Sequence, residues 1–448
     1  MAQTRIATAE LPTDPLQSAY AVLSGDDSTE RACKAIPDEQ CTSVPRNFVL
    51  NVLNGSCTKL AEQLASPTLV LPWLVSSLGA PVWVVGWFVP VKQAGSMIPQ
   101  LAVAARIRRL AQRKWAWAGA GAFQGIALLT MATAVLLTPP DMAAWLMLVL
   151  FALFSVASGV GSVAFQDVTG KTVPKGVRGR MLANRASIGG ALTLVAAAIL
   201  KFIIGDGGGA EVYAALVAAA AVLWIAGAFF FAVIDEQPGA QEGGRNMLGE
   251  VQAGLKLFRE DPGFSRYLGM RIALLISIEL APPFFALLAQ QSQGGSLASL
   301  GILIFAVGFA NMVSSWVWGA LADRSARKVC ILSGVVGIFA VAAALISAHL
   351  VPGEFAIWAF GGVFVIAGVA EAGVRLGRKT YLVDAAPKDE RPLYTALSNT
   401  LAGVVALAAG GLGVLAQFTS VTTLVVVMAG IGVIGVFFSV AMPEAGDD

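Results

Sequence analysis

Charge is what this chain has least of. Only 13% of its 448 residues are Asp, Glu, Lys or Arg, about half the share of a soluble chain of this length. The net charge is +2, and the basic residues fall into short separated clusters rather than a stripe, so nucleic acid is not an expected partner. Histidine occurs once, at His349, which leaves little for imidazole metal ligation or Ser-His catalysis. The four cysteines (Cys33, Cys41, Cys57 and Cys330) have no CxxC or zinc-like spacing. None falls in a predicted outward loop, so they are read as reduced thiols. No G-x-x-x-x-G-K-[ST] run occurs, which argues against ATP-driven transport within the chain. Residues 1–45 are polar and lack a basic stretch followed by an apolar core. No cleavable signal peptide is predicted, and the first apolar helix is expected to direct insertion.

What remains is apolar. Hydrophobic residues make up 56% of the chain, Gly occurs 48 times, and the mean hydropathy is +0.73. Apolar runs about 20 residues long predict an all-α polytopic membrane protein. Twelve spans are expected near 57–78, 81–104, 115–137, 143–165, 186–204 and 212–233, then 266–289, 298–320, 329–349, 355–376, 394–416 and 420–441. The polar interval 234–265 divides them into six and six, giving a 46–233 bundle, a linker, a 266–441 bundle and a 442–448 tail. Connections after even-numbered spans are basic: Arg106, Arg108, Arg109, Arg113 and Lys114; Lys171, Lys175, Arg178 and Arg180; Arg324, Arg327 and Lys328; Arg378, Lys379, Lys388 and Arg391. Those after odd-numbered spans hold Asp141, Asp206, Glu211 and Glu354, without Lys or Arg. The bias predicts that the even connections, the linker and both termini are cytoplasmic. A multi-pass plasma membrane location, bacterial inner membrane, is expected.

The halves echo each other. A-R-I-R-R-L-A-Q-R-K (105–114) answers G-A-L-A-D-R-S-A-R-K (319–328) with Arg113 and Lys114 matching Arg327 and Lys328 at an offset of 214. P-K-G-V-R at 174 answers P-K-D-E-R at 387, and L-A-S-P at 64 answers L-A-P-P at 280. Three matches at nearly one offset indicate an internal duplication of the kind that builds secondary transporters.

Twelve spans, the duplication and a charged loop after spans 2 and 8 resemble the major facilitator superfamily. The family's loop pattern, close to G-x-L-A-D-x-x-G-R-[RK], is matched at Gly319, Leu321, Ala322, Asp323, Arg327 and Lys328, with Ala326 where the family prefers Gly. The first copy has Arg109 in place of the Asp. The resemblance implies two pseudo-symmetric six-helix bundles and a cytoplasmic gate comprising Gly319, Asp323, Arg324, Arg327, Lys328, Arg113 and Lys114. Within it, Asp323 would face the N-terminal end of span 11, where a carboxylate gains about 0.3–1 kcal/mol. Two patterns of drug–proton antiporters are absent: span 4 has no Arg, and span 5 offers Gly189-Gly190 without the preceding Pro.

Ionisable groups within a span cost about 2.5–3.5 kcal/mol each, so each needs a reason. Span 1 holds Lys59 and Glu62, and Asn51, Asn54, Thr58 and Glu62 recur at helical spacing. Span 2 holds Lys92 and Gln93 mid-span; span 7 holds Arg271 and Glu279, the latter answering Gln63; Glu371 and Arg375 end span 10. One reading makes Glu62 or Glu279 a proton carrier, since low dielectric favours a protonated carboxyl, and makes Lys92 an attractor of an anionic or polar substrate. Asn54, Lys59, Gln93 and Arg271 complete that candidate set. The other reading is structural, with Lys59–Glu62 and Glu371–Arg375 as intrahelical pairs and Arg271 tied to a neighbouring helix. Asp167, Arg178, Glu371 and Arg375 are grouped as a charge network at the inner span ends. Lys201 is expected to snorkel outward. Trp83, Trp115, Trp117 and Trp145 are expected as interface anchors.

The expected function is secondary active transport of a small solute, working as a monomer in the bilayer and driven by a proton gradient rather than a cofactor. Uptake of a polar or anionic metabolite competes with efflux of an organic compound. A membrane receptor that kept the fold, or a membrane-embedded enzyme, are the other classes.

Overall fold

The computed structural model describes residues 15–24, 43–99, 109–204, 209–238, 261–293, 297–322, 324–386 and 391–444, with 103, 106 and 107. The described secondary structure is helical, and nine helical segments are by themselves long and apolar enough to cross a bilayer. The other expected spans are the first (Val44–Leu64 then Val70–Ser77), the second (Val82–Met97) and the eighth (Leu297–Ala322). Spans 3 to 6 run Lys114–Leu137, Pro140–Thr172, Lys175–Ile199 and Ala210–Ala232. Span 7 is Pro262–Leu274, a π-helical turn Leu275–Glu279 and Pro282–Gln293; spans 9 and 10 are Ala326–His349 and Gly353–Ala385. Span 11 is Arg391–Ala409 followed by Leu412–Phe418, and span 12 is Val421–Ala441.

Each half uses the same pairings. Span 1 packs on 5 and 6, span 2 on 4, and span 3 on 4 and 6; correspondingly, 7 packs on 11 and 12, 8 on 10, and 9 on 10 and 12. Spans 2 and 11, and 5 and 8, join the halves. The pseudo-symmetry read from the repeats is thus realised helix by helix. It extends to the breaks. L-A-S-P interrupts span 1 after Leu64, and L-A-P-P interrupts span 7 before Pro282. Proline lacks the N–H that would continue the helical ladder, and it restricts the residue before it.

Several boundaries differ from the hydropathy expectation. Span 1 begins at Val44, not 57, because Asn47, Asn51 and Asn54 lower the hydropathy of its first turns although all three are fully buried. Their side-chain N–H groups find acceptors within the fold: Asn47 Nδ2 donates to the Asp235 carbonyl at 3.0 Å, Asn51 Nδ2 to the Asn47 carbonyl at 3.0 Å, and Asn54 Nδ2 to the Gly227 carbonyl at 2.9 Å. Spans 4, 5 and 10 run past their expected basic-side ends, so Lys171, Arg178, Arg180, Arg378 and Lys379 lie on helices rather than in connections. A short helix, Pro15–Ser24, also stands in the expected polar N-terminal segment. It rests on span 1 through Tyr20, edge-on to Phe48 at 5.2 Å, while Asn184 Nδ2 donates to its Leu23 carbonyl at 2.7 Å. Trp117 is not an interface anchor: it is 7% exposed and stacks on Phe231 at 4.3 Å. Trp115 and Trp145 are exposed as expected.

Where spans 2 and 11 cross, the backbones touch. A methyl built on Gly86 would lie 2.6 Å from Gly413 Cα, so only glycine permits this approach.

Candidate functional site

Between the halves lies a cavity of about 420 Å³. Its first-half wall carries Lys59, Glu62 and Lys92; its second-half wall carries Asn311, Glu371 and Arg375. Lys59 Nζ meets Glu62 Oε2 at 2.7 Å, and Arg375 Nη1 meets Glu371 Oε1 at 3.2 Å. Both pairs are intrahelical, as their spacing predicted, and both face the cavity. Span 10 continues to Ala385, so Glu371 and Arg375 line the cavity ahead of its inner end rather than forming a network at that end. Among the described residues Lys92 has no hydrogen bond or ion pair of its own, and it lies within electrostatic reach of Glu62.

The remaining candidates lie elsewhere. Asn54 is buried against span 6. Gln93, next to Lys92, faces away from the cavity and donates through Nε2 to Glu279 Oε2 at 2.9 Å. Among the described residues that is the one hydrogen bond between the halves. Glu279 is 3% exposed, at the end of the π turn, with Arg378 Nη2 3.6 Å from its other oxygen. Arg271 reaches span 11, donating to Ser398 Oγ and, at 2.7 Å, to Asn399 Oδ1.

Sequence reasoning missed Arg185, because span 5 was expected to start at 186. Its guanidinium covers the Phe165 ring at 4.4 Å, donates to the Asn51 carbonyl at 2.9 Å and acts on Glu62 electrostatically. Its signal was the polar stripe on span 1, which needed a donor opposite it.

One end of the cavity is plugged. On the face opposite the basic connections, Val70–Ser77 of span 1 packs on Pro282–Gln293 of span 7, and Trp73, Leu71, Phe284, Phe285 and Phe364 are almost wholly buried there. On the basic face the two halves keep separate cores. Tyr20, Phe48, Val177 and Met181 form one, and Phe264, Tyr267, Tyr381 and Tyr394 the other.

Each half also clasps its own chain end there. Arg113 Nη1 pairs with Asp167 Oδ2 at 3.2 Å, while the Lys114 backbone N–H donates to Glu236 Oε2 at 2.7 Å and Lys171 Nζ to Glu236 Oε1 at 3.0 Å. In the second half Arg327 Nε pairs with Glu444 Oε2 at 3.1 Å, Arg327 Nη1 donates to the Met442 carbonyl at 2.8 Å, and Ser325 Oγ donates to Glu444 Oε1. Glu236 and Glu444 each stand just past the last span of their half, and neither was singled out in the sequence. Asp167 thus belongs to the loop clasp rather than to Arg178, which donates instead to the Val173 carbonyl at 2.7 Å. Arg324 and Lys328 are exposed. Gly319 lies on the span 8 helix Leu297–Ala322, and Asp323 lies outside the described residues.

Comparison with known proteins agrees with this architecture. The family model described as Major Facilitator Superfamily matches residues 52–409 and again 270–447. Uncharacterized proteins of Mycobacterium tuberculosis and Mycobacterium bovis are 27% identical over 420 residues, covering 90% of this chain and 78% of theirs. Among solved structures, the nucleoside transporter NupG superposes with a TM-score of 0.64 at 14% identity, covering 89% of this chain and 98% of that one. A D-xylose–proton symporter does so with a TM-score of 0.66 at 15% identity, covering 91% and 99%. At such identities these two speak for the fold alone. The matched family model spans well over half of the residues, and the chain belongs to the Major Facilitator Superfamily.

Proposed function

We propose that the protein is a proton-coupled secondary transporter of a small polar or anionic solute, with the central cavity as its binding site. The observation that carries this reading is a cavity between two pseudo-symmetric halves that is charged on both walls and plugged by apolar packing at one end. Rocking the halves would move the plug to the other end, which is alternating access. Lys92, without a partner among the described residues, is the anchor for a negative or dipolar group. Glu62 is the proton carrier in preference to Glu279, because Glu62 faces the cavity, whereas Glu279 lies outside its lining and is engaged by Gln93 and Arg378. Gln63, Asn311 and Thr193 add neutral donors and acceptors suited to hydroxyls or amides on the cargo.

The basic face is cytoplasmic in this reading, from its Lys and Arg excess, and the plugged face is external. The state is then inward-facing, in a cytoplasmic membrane, with the bundles 46–233 and 266–441 as the rocking units. The clasps at Glu236 and Glu444 hold each unit rigid, and Asp323 completes the latch when the inner side closes.

The test is solute uptake and efflux by proteoliposomes under an imposed proton gradient. Flux should follow the gradient, and Glu62→Gln should abolish its pH dependence while leaving counterflow exchange intact. Flux indifferent to the gradient, or unaltered pH dependence in Glu62→Gln, overturns proton coupling. Unaltered flux in Lys92→Gln overturns the placement of the site.

A further inference from the structure

Two guanidiniums are buried on the basic side of the second half with one carboxylate between them. Arg271 of span 7 is 3% exposed and Arg378 of span 10 is 8% exposed. They stand within electrostatic reach of each other. Glu279 is the carboxylate, but one of its oxygens accepts from Gln93, and Arg378 Nη2 is 3.6 Å from the other. That separation is an ion pair without a hydrogen bond. Arg271 spends donors on Ser398 and Asn399 and has the Tyr267 hydroxyl beside it, all neutral groups. A guanidinium offers five N–H donors. Among the described residues the Arg378 side chain makes no hydrogen bond, and Nε of both arginines is buried without a partner.

No other described carboxylate is placed to help. Glu371 is engaged by Arg375, and Asp261 accepts from the Phe264 N–H at 3.0 Å and the Tyr394 hydroxyl at 2.9 Å. Lys379, beside Arg378 in the chain, adds positive charge. Buried charges are normally paired, and buried donors normally satisfied. Among the described residues one positive charge and two Nε–H groups are thus left over, on two arginines within electrostatic reach of each other.

We propose that a small monovalent anion, a halide or a carboxylate, binds between Arg271 and Arg378. It takes the two unpartnered Nε–H groups and balances the second guanidinium. The site is distinct from the central cavity, which Arg271, Arg378 and Glu279 do not line. Span 10 connects the two: Glu371 and Arg375 face the cavity, and Arg378 lies one turn further on. The inference does not depend on transport, since it concerns the charge balance of the folded protein.

The test is thermal unfolding of the full-length protein in detergent, in sodium HEPES, whose bulky sulfonate is neither halide nor carboxylate, at constant ionic strength, titrated with chloride in one arm and acetate in the other. A saturable rise in Tm in at least one arm, lost in Arg378→Gln, is the expected result. A response to chloride alone makes the ligand a halide; a response to acetate as well admits carboxylates. No saturable rise in either arm overturns the proposal. So does a rise that Arg378→Gln retains, or one that Lys92→Gln abolishes, which would put the anion in the central cavity. Should Arg378→Gln fail to fold, Glu279→Gln decides. Removing the competing carboxylate should lower the half-saturating anion concentration by about tenfold, and an unchanged or higher value refutes the site.

Discussion

Replacing Glu236 by Ala should destabilise the protein far more than replacing its symmetry mate Glu444. The Glu236 side chain is fully buried and accepts from two donors, the backbone N–H of Lys114 and the ammonium of Lys171. Lys114 opens span 3, so this carboxylate satisfies one of the orphan amides at a helix start and meets the positive end of its dipole. Truncation leaves both donors without it. Breaking a buried pair costs about 3–5 kcal/mol, whereas the Arg327–Glu444 pair, with side chains 29% and 28% exposed, is worth about 1 kcal/mol at most. For a chain of this size each kcal/mol shifts Tm by roughly 1–2 °C. Glu236→Ala should therefore lose roughly 5 °C and Glu444→Ala about 1 °C. The assay is heat-induced exposure of the buried thiol of Cys330 to a maleimide dye in detergent. Equal shifts for the two variants, or a Glu236→Ala melt within a degree of wild type, would refute the reasoning that burial ranks the two clasps.

Three further perturbations test particular contacts. Gly86→Val would drive a side chain into the Gly413 backbone; it should cost about 1–3 kcal/mol and lower both Tm and flux, while Gly430→Val, where a methyl meets open space, should leave Tm within a degree. Tyr20→Ala removes the ring that packs on Phe48 and should free the Pro15–Ser24 helix, read as faster proteolytic cleavage ahead of Val44 with span 1 intact. Gln93→Ala deletes the hydrogen bond between the halves, worth about 1.5–3 kcal/mol with a charged acceptor; cysteines introduced on the plugged face should label faster, and unchanged labelling would show that apolar packing alone sets the state.

The span count, the duplication and the family were legible because each rests on local physics. Twenty apolar residues cross a bilayer whatever surrounds them, and Arg113-Lys114 against Arg327-Lys328 is a match of chemistry at a fixed offset. The intrahelical pairs Lys59–Glu62 and Glu371–Arg375 were legible too, since three or four residues along a helix always share a face. The proline motif at 64–67 and 280–283 was legible as a repeat, while the breaks it makes in spans 1 and 7 came from the structure.

What no local pattern specified was the partner across space. Asn47, Asn51 and Asn54 lowered the hydropathy of a segment that is nonetheless buried helix, because their side-chain N–H groups find acceptors in span 6, in the chain just past it and in span 1 itself. Lys92 and Gln93 are neighbours in the chain, yet one faces the cavity and the other ties the halves together through Glu279. Glu236 reads as one acid in a polar linker until span 3 and Lys171 are brought against it. Arg378 reads as a loop cation until span 10 proves long enough to bury it beside Arg271. Composition and periodicity determined which residues must cross the membrane. Only the packing of helices far apart in the chain decided which of their charges meet one another, which face the cavity, and which are left over.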